Sequence, residues 1–314
     1  MVLTVSLNPA VDKYIHLRRL VHGQHQQAEQ VVTSAGGKAV NVAGVLRELG
    51  EEVELIGFFG GFTGQYLVRE IATEGVRCHA IEIATLTRTA FVLVEEDGAE
   101  TELVEPGGAV TADEIAALRA ALRAAATRAQ VIVMSGSAPP GCPDDIYVQL
   151  LADCAGRCPV IVDTSRAWLQ AVVDDTSGAA RPTMIKPNRR EAEAALGTTL
   201  ATPAAMAAGL RQFAVRGIPL PVISDGAHGL YALVDGAVWQ AGPPQLQRVN
   251  SVGSGDAAVA GIAASLARGA AADSDTMLRL AAACGAANVL TQECALVHRA
   301  DIERLLPQVT VGRM

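Results

Sequence analysis

NSVGSGDAAVAGI, residues 250–262, places three small residues, Gly253, Ser254 and Gly255, immediately before one carboxylate, Asp256. No further charge follows until Arg268. A helix with a polar face sits at a surface, whereas an Ala-rich helix without charge is buried all round. The stretch therefore predicts a helix enclosed by other layers, with its N-terminus and one acid at the mouth. That acid has two readings. A carboxylate in the first helical turn is favoured by the helix dipole for stability alone. Alternatively, a G-x-G-D loop aims backbone N–H groups at one point and sets a proton acceptor beside them.

Working outward, the layers around that helix are legible as near-continuous apolar runs. These are VLTVSL (2–7), EVELIGFF (52–59), VIVMS (131–135), VIVD (160–163), TMIKP (183–187) and PVISD (221–225). Such runs are expected of parallel strands covered on both faces. Helical patterns lie between them. After Asn41, residues Val42, Val45, Leu46 and Leu49 recur at helical spacing and Gly50 supplies a C-cap. Residues 113–129 and 276–290 also read as helices. Strand–helix alternation of this kind predicts an α/β fold with a doubly wound, mainly parallel sheet, whose ligands bind at the carboxyl ends of the strands.

Two segments break the pattern. Residues 13–34 are polar and weakly alternating, and residues 87–105 read as a hairpin around Asp97-Gly98. Both are expected to form antiparallel strands outside the main sheet, as a small β-sheet lid on a single domain spanning 1–314. Residues 229–242 are expected to form a further hairpin turning at Asp235-Gly236.

Composition narrows the class. The chain has 314 residues, 50% of them hydrophobic, enough for one large core; aromatics are only 4%, so that core is made of many small contacts. A formal net charge of −8 argues against a general nucleic-acid surface. No transmembrane run and no basic leader are expected, which points to a cytoplasmic protein. Six scattered cysteines lack paired metal-ligand spacing and are expected to be reduced thiols rather than a zinc site.

Five further stretches carry candidate chemistry, each with a plain structural alternative. In NPAVD (8–12), Pro9 stops a strand and Asp12 is expected at the sheet's carboxyl edge; a simple turn explains the same residues. In AGGKAVNVAGVLRELG (35–50), Gly36 and Gly37 let a ligand approach backbone at a helix N-terminus, with Lys38 as a cation and Asn41 as a two-sided amide. An ordinary glycine turn into a helix is the alternative, and Walker spacing is absent. SGSAPPG (135–141) is either a rigid loop with room for a ligand or a tight connection. In KPNRREAEAALG (186–197), Asn188 and Glu191 form either a capping box or a pair facing a metal–nucleotide through water. In ISDGAHGLYAL (223–233), Ser224, Gly226 and Gly229 could hold phosphates, or simply begin a hairpin; His228 reads as a loop residue. Backbone donors plus an adjacent carboxylate at Gly253–Asp256 are the two parts that phosphoryl transfer requires.

The ordered set NPAVD, GGKAVNVA, SGSAPPG, IKPNRREAEAALG and NSVGSGDAAVAG resembles the ribokinase-like, PfkB-type sugar kinases, in particular the hexose-phosphate kinase branch, over essentially the whole chain. The resemblance implies ATP and Mg²⁺, a ketohexose phosphate as acceptor, and a homodimer formed through the lid. By the same resemblance Asp256 is the base and Gly253, Ser254 and Gly255 the anion hole. Asp12, Gly37, Lys38, Asn41, Arg88 and Ser137 would hold the sugar, with Arg88 on its phosphate. Lys186, Asn188, Ser224, Gly226 and Gly229 would line the nucleotide side, with Glu191 near the metal. The chain departs from the branch at Ala39, where glycine is usual, at Ser254, where alanine is commoner, and at Gln26 and Gln27, where a basic lid residue is usual; Arg18 and Arg19 are candidates to compensate. The alternatives are a kinase of an unphosphorylated sugar or nucleoside, and a non-catalytic sensor on the same fold.

Overall fold

The computed structural model describes residues 1–178, 180–246, 249–269 and 273–314. Seven strands run parallel in the main sheet, and six of them lie in the apolar runs of the sequence. In spatial order they are β11 (Leu220–Ser224), β10 (Met184–Ile185), β9 (Val160–Asp163), β8 (Val131–Ser135), β1 (Val2–Ser6), β4 (Val53–Phe59) and β5 (Arg77–Glu82). Three antiparallel strands extend the β11 side: β12 (Leu230–Val234), β13 (Ala237–Gly242) and β14 (Thr310–Arg313). The hairpin at Asp235-Gly236 is therefore present. Strands β5 and β14 were not foreseen, and β10 is shorter than the apolar run containing it.

Every residue of β1, β4 and β8 is buried, because helices cover both faces. Successive residues feed opposite cores: Val131 and Val133 pack on one side, Ile132 and Met134 on the other. The first side holds α1 (Lys38–Glu48), α2 (Gly61–Thr73), α8 (Ser254–Ala267), α9 (Ser274–Asn288) and α10 (Arg299–Leu305). The second holds α3 (Ala112–Ala125), α4 (Ile146–Cys154), α5 (Arg166–Asp174), α6 (Arg189–Leu196) and α7 (Pro203–Val215). The helix after β1, α1, lies on the first side, and the helix after β8, α4, on the second. The sheet therefore changes winding direction between β1 and β8, where a cleft opens at the carboxyl ends.

Helix α8 is the enclosed helix anticipated from residues 250–262: every residue from Asp256 to Ser265 is buried. Its lack of charge follows from its packing. A Cβ on Gly261 would lie 2.8 Å from Ala281 Cα, so α8 and α9 touch backbone to backbone. No helix among the described residues is long and apolar enough to cross a membrane.

The second sheet has four strands in the order β3 (Gln30–Gly36), β2 (Ala10–Leu17), β6 (Arg88–Glu95), β7 (Glu100–Val104). Two expectations need correction. The outer pairs are antiparallel hairpins, but the central pair β2–β6 is parallel, with Ala10 opposite Arg88. Both hairpins leave the main sheet from carboxyl ends, of β1 and β5, and so set out in the same direction. Asp12 does not end a main-sheet strand. It is the third residue of β2, within the small sheet, because Pro9 closes the first ladder and the chain resumes pairing at Ala10.

Candidate active site

A cavity of about 990 Å³ lies between the main sheet's carboxyl edge and the inner face of the small sheet. Its size and mixed lining suit a ligand site. Period-two alternation decides which lid residues reach it: Ala10 and Asp12 from β2, Arg88 and Ala90 from β6, Glu102 and Val104 from β7. From the body come Gly37, Lys38 and Asn41 of the β3–α1 junction, Lys186, Asn188 and Glu191, then Ser224, Gly226 and Gly229, and finally Gly253, Ser254, Gly255 and Asp256. Of the residues singled out in the sequence, Ser137, Gly36, Arg18 and Arg19 are outside the lining; Ser137 is the one among them assigned to the sugar. The Ser137 hydroxyl accepts from Asn8 Nδ2 at 3.2 Å, which ties the β8 loop to the end of β1.

Gly253 is the N-cap of α8 with φ 86°, a left-handed conformation that favours glycine. A Cβ there would also lie 2.5 Å from Ala295 N. The hydroxyl of Ser254 accepts from Asn288 Nδ2 at 2.9 Å, and its N–H donates back to Ser251 O at 3.3 Å. The N–H groups of Gly255 and Asp256 have no acceptor among the described residues. They are the orphan donors of the first turn, at the positive end of the dipole. Lys186 joins them: a Cβ on Gly255 would meet its Nζ at 3.1 Å. A small residue at 255 thus lets a cation stand against the amides.

Asp256 is 5% exposed, and burial pushes its carboxyl up to about 6. Lys38, the hydrogen bond from Asn41 Nδ2 to its Oδ2 (2.8 Å) and Lys186 act in the opposite direction. Asp12 is raised to about 7, again chiefly by burial; Arg88 pulls it down, while Glu102 and Asp256 push it up. Arg88 is itself held, its Nε donating to Asn8 O and its Nη1 to Glu105 O, both at 3.2 Å. Burial lowers its pKa, against the field of Asp12, Glu102 and Glu105.

Asp163, at the end of β9, is a buried acid beside the site that the sequence motifs do not single out. It is 1% exposed and pairs with two lysines, Lys38 Nζ at 3.4 Å and Lys186 Nζ at 3.6 Å. Burial opposes its charge, but the two lysines outweigh that and hold its pKa low. Asp163 in turn raises the pKa of Lys38. An acid closing a buried parallel strand at a sheet's carboxyl edge was the available signal. Glu102 and Cys294, which line the cavity as Asp163 does not, left none: one is an alternate residue in a polar hairpin, the other a cysteine in an irregular loop.

Asn188 and Glu191 form the capping box of α6, with Glu191 N–H donating to Asn188 Oδ1 at 3.0 Å and Asn188 N–H to Glu191 Oε2 at 2.9 Å. The structural alternative is thus present, and both residues still line the cavity. Gly229 (φ 87°) must be glycine, because a Cβ would lie 1.9 Å from Ala241 O. Pro243, Leu246, Ala282, Gly285, Ala286 and Val289 complete an apolar end beyond Ser224 and Gly253.

Residues 5–299 match the pfkB family of carbohydrate kinases. The chain belongs to that family. The kinase is 40% identical to 1-phosphofructokinase of Xanthomonas campestris pv. campestris over 276 residues, 84% of this chain and 83% of the relative. Among solved structures, a putative phosphofructokinase from Staphylococcus aureus superimposes with TM-score 0.85 and 28% identity, covering 100% of this chain and 99% of the other. Phosphofructokinase-2 from Escherichia coli in complex with fructose-6-phosphate gives TM-score 0.89 and 26% identity, covering 98% of both chains. The mainly parallel sheet with a separate small sheet is the ribokinase-like fold.

Proposed function

We propose that this kinase transfers the γ-phosphoryl group of ATP to a primary hydroxyl of a ketohexose phosphate, with fructose 1-phosphate favoured by its 40% identity to a 1-phosphofructokinase. The observation that carries the reading is one cleft holding a buried carboxylate beside free backbone donors, Asp256 with Gly255, and a cation, Arg88, at the lid end. The sugar hydroxyl gives its proton to Asp256 as its oxygen bonds to the γ-phosphorus. The bond to the β-phosphate oxygen breaks, and ADP leaves with that electron pair. The amides of Gly255 and Asp256, with Lys186, take up charge on the transferring group. Asp12, Gly37, Lys38 and Asn41 hold the sugar, and Arg88 its phosphate. Lys186, Asn188, Ser224, Gly226 and Gly229 hold the triphosphate, with the apolar end taking the base of the nucleotide.

Among the described residues no group of three or more His, Cys, Asp or Glu could cage a metal. A single carboxylate suits Mg²⁺ that arrives on nucleotide phosphates and keeps its waters, and Glu191 fits that role. Mg²⁺ bound with ATP would neutralise phosphate charge. The active form is proposed to be a homodimer through the small sheet, whose outer face presents Ile15, Val31, Phe91, Leu93 and Leu103; Val31 and Leu103 are 53% and 57% exposed. The cytoplasm is the proposed setting, since six unpaired cysteines suit a reducing compartment.

A second reading, an unphosphorylated sugar, is favoured by the carboxylates Asp12 and Glu102 beside Arg88. An ATP-consumption assay on fructose 1-phosphate, tagatose 6-phosphate, fructose 6-phosphate, fructose and ribose separates the two. The expected result is the highest kcat/KM for fructose 1-phosphate, and an Arg88→Ala variant whose KM for that sugar rises about 10- to 100-fold while its KM for fructose hardly moves. Better turnover of fructose or ribose than of any phosphosugar overturns the proposal.

A further inference from the structure

Cys294 stands in the connection between α9 and α10 and faces the cavity. Its backbone N–H donates to Tyr14 OH at 2.8 Å, and Tyr14 belongs to lid strand β2. Its Sγ accepts from Asn41 Nδ2 at 3.2 Å. The same nitrogen donates to Asp256 Oδ2. An amide nitrogen has two hydrogens, and here each has its own acceptor. A flipped Asn41 would turn its carbonyl oxygen on the Asp256 carboxylate, so the amide has one favourable orientation. In that orientation Oδ1 remains as an acceptor for a sugar hydroxyl.

The thiol is held as firmly as it holds. A Cβ on Gly253 would lie 2.6 Å from Sγ, so the sulfur packs on the N-cap of α8. The next residue, Ala295, has φ 55°, a conformation that a non-glycine residue keeps only when its surroundings demand it. Burial, reinforced by the negative field of Asp256, Asp12 and Glu102, pushes the thiol well above its ordinary pKa. Cys294 therefore stays protonated and is a poor nucleophile. Its chemistry here is that of a compact acceptor.

We propose that Cys294 is a positioning residue for the base, tying lid strand β2 to Asp256 through Asn41. Tyr14 fixes the Cys294 backbone, the sulfur fixes the amide of Asn41, and the amide fixes the carboxylate. The other charged groups facing Asp256 are Lys38 on α1, Lys186 after β10, Asp163 on β9 and Asp12 on β2. None of them has a hydrogen bond to Cys294.

The inference rests on Asp256 as the base, so Asp256→Asn is measured in parallel with Cys294→Ala and Cys294→Ser, using ATP and fructose 1-phosphate from pH 5.5 to 8.5 (a range of about three units around the base). Cys294→Ala is expected to lose about 3- to 10-fold in kcat, the scale of one hydrogen bond, with KM for ATP unchanged. Its acid limb should move to higher pH, because a bond favouring the ionised carboxylate is loosened. Cys294→Ser, whose hydroxyl can accept the same N–H, should recover most of kcat. In an Asn41→Ala background, Cys294→Ala should add little. Wild-type kcat and pH limb in Cys294→Ala overturn the proposal, as does equal impairment in Ser and Ala, or full additivity with Asn41→Ala. Near-normal turnover in Asp256→Asn instead removes the base assignment itself; a loss of about 10² or more there, beside a wild-type Cys294→Ala, removes the positioning role alone.

Discussion

Gly36→Ala should damage sugar binding while leaving the fold almost untouched. Gly36 ends β3, pairs with Ala10, and lies under the Asp12 side chain. A Cβ there would stand 2.0 Å from Asp12 Oδ2, 2.1 Å from Cγ and 2.4 Å from Oδ1. Ordinary contact begins at 3.4 Å, so the carboxylate must move by more than an ångström. It is the end of a side chain, and it can. The displacement costs about 0.5–1.5 kcal/mol in rotamer strain. Against that, replacing glycine gains about 0.4–1 kcal/mol by restricting the unfolded chain, since Gly36 does not need a positive φ. The two nearly cancel, and Tm should shift by no more than about 3 °C. Binding is another matter. A charged hydrogen bond from Asp12 to a sugar hydroxyl contributes about 1.5–3 kcal/mol, so its loss should raise KM for the sugar about 10- to 150-fold. KM for ATP and kcat at saturating sugar should change less than about 3-fold, because Asp256 stands on a different element and only uniform binding is removed. Steady-state kinetics in both substrates, with a melting curve, decide it. An unchanged sugar KM in a folded variant refutes the placement of Asp12 against the sugar. A Tm drop beyond about 10 °C refutes the claim that only a side chain has to yield.

The remaining predictions concern the base and its helix. Burial raises the Asp256 carboxyl to about 6, and a base works only when ionised, so kcat/KM should fall as pH drops through about 6; a rate level down to pH ~4, near the ordinary carboxylate value, would contradict it. Gly261→Ala inserts a methyl group 2.8 Å from Ala281 Cα and 2.9 Å from Ala281 N, which are backbone atoms that cannot rotate away. It should destabilise by about 1–3 kcal/mol in denaturant titration, and an unchanged midpoint would mean that α8 and α9 are less tightly apposed than this.

What could be read in advance followed from periodicity and from residues that do one thing. The parallel strands were legible because burial on both faces demands uninterrupted apolar runs, and α8 because burial all round demands the absence of charge. The small sheet was legible as two excursions but not in its direction. Whether β2 and β6 run parallel depends on where β1 and β5 end, which no local pattern encodes. Asp12 and Asp256 stood out because each is an acid at one end of an apolar run, whereas Arg88 came only from the family resemblance. Asp163 lay in full view as the last residue of VIVD, yet its role depends on Lys38 and Lys186, brought to it from elsewhere in the chain. Ser137 shows the converse limit. A small polar residue in a loop looks free, and only the fold reveals that its hydroxyl already accepts from Asn8.

The proposed base, Asp256, needs two opposed conditions, and Asp163 reconciles them. A carboxylate that accepts a proton well must not be stabilised too strongly as an anion, yet it must be ionised near neutral pH. Burial of Asp256 meets the first condition, and Lys38 and Lys186 meet the second. Two lysines given wholly to Asp256 would depress it and weaken it as an acceptor. Asp163 prevents that. It claims both lysines as partners, and its own charge pushes Asp256 upward. Asp163 is not part of the cavity wall, so it acts without touching what binds there. Its position at the end of β9 also sets Lys38 and Lys186 on either side of one buried charge, at the junction of the proposed sugar and nucleotide ends. In the proposed transfer, a phosphoryl group crossing from one end to the other meets cations already paired with Asp163, which leaves less of their reorganisation to the barrier.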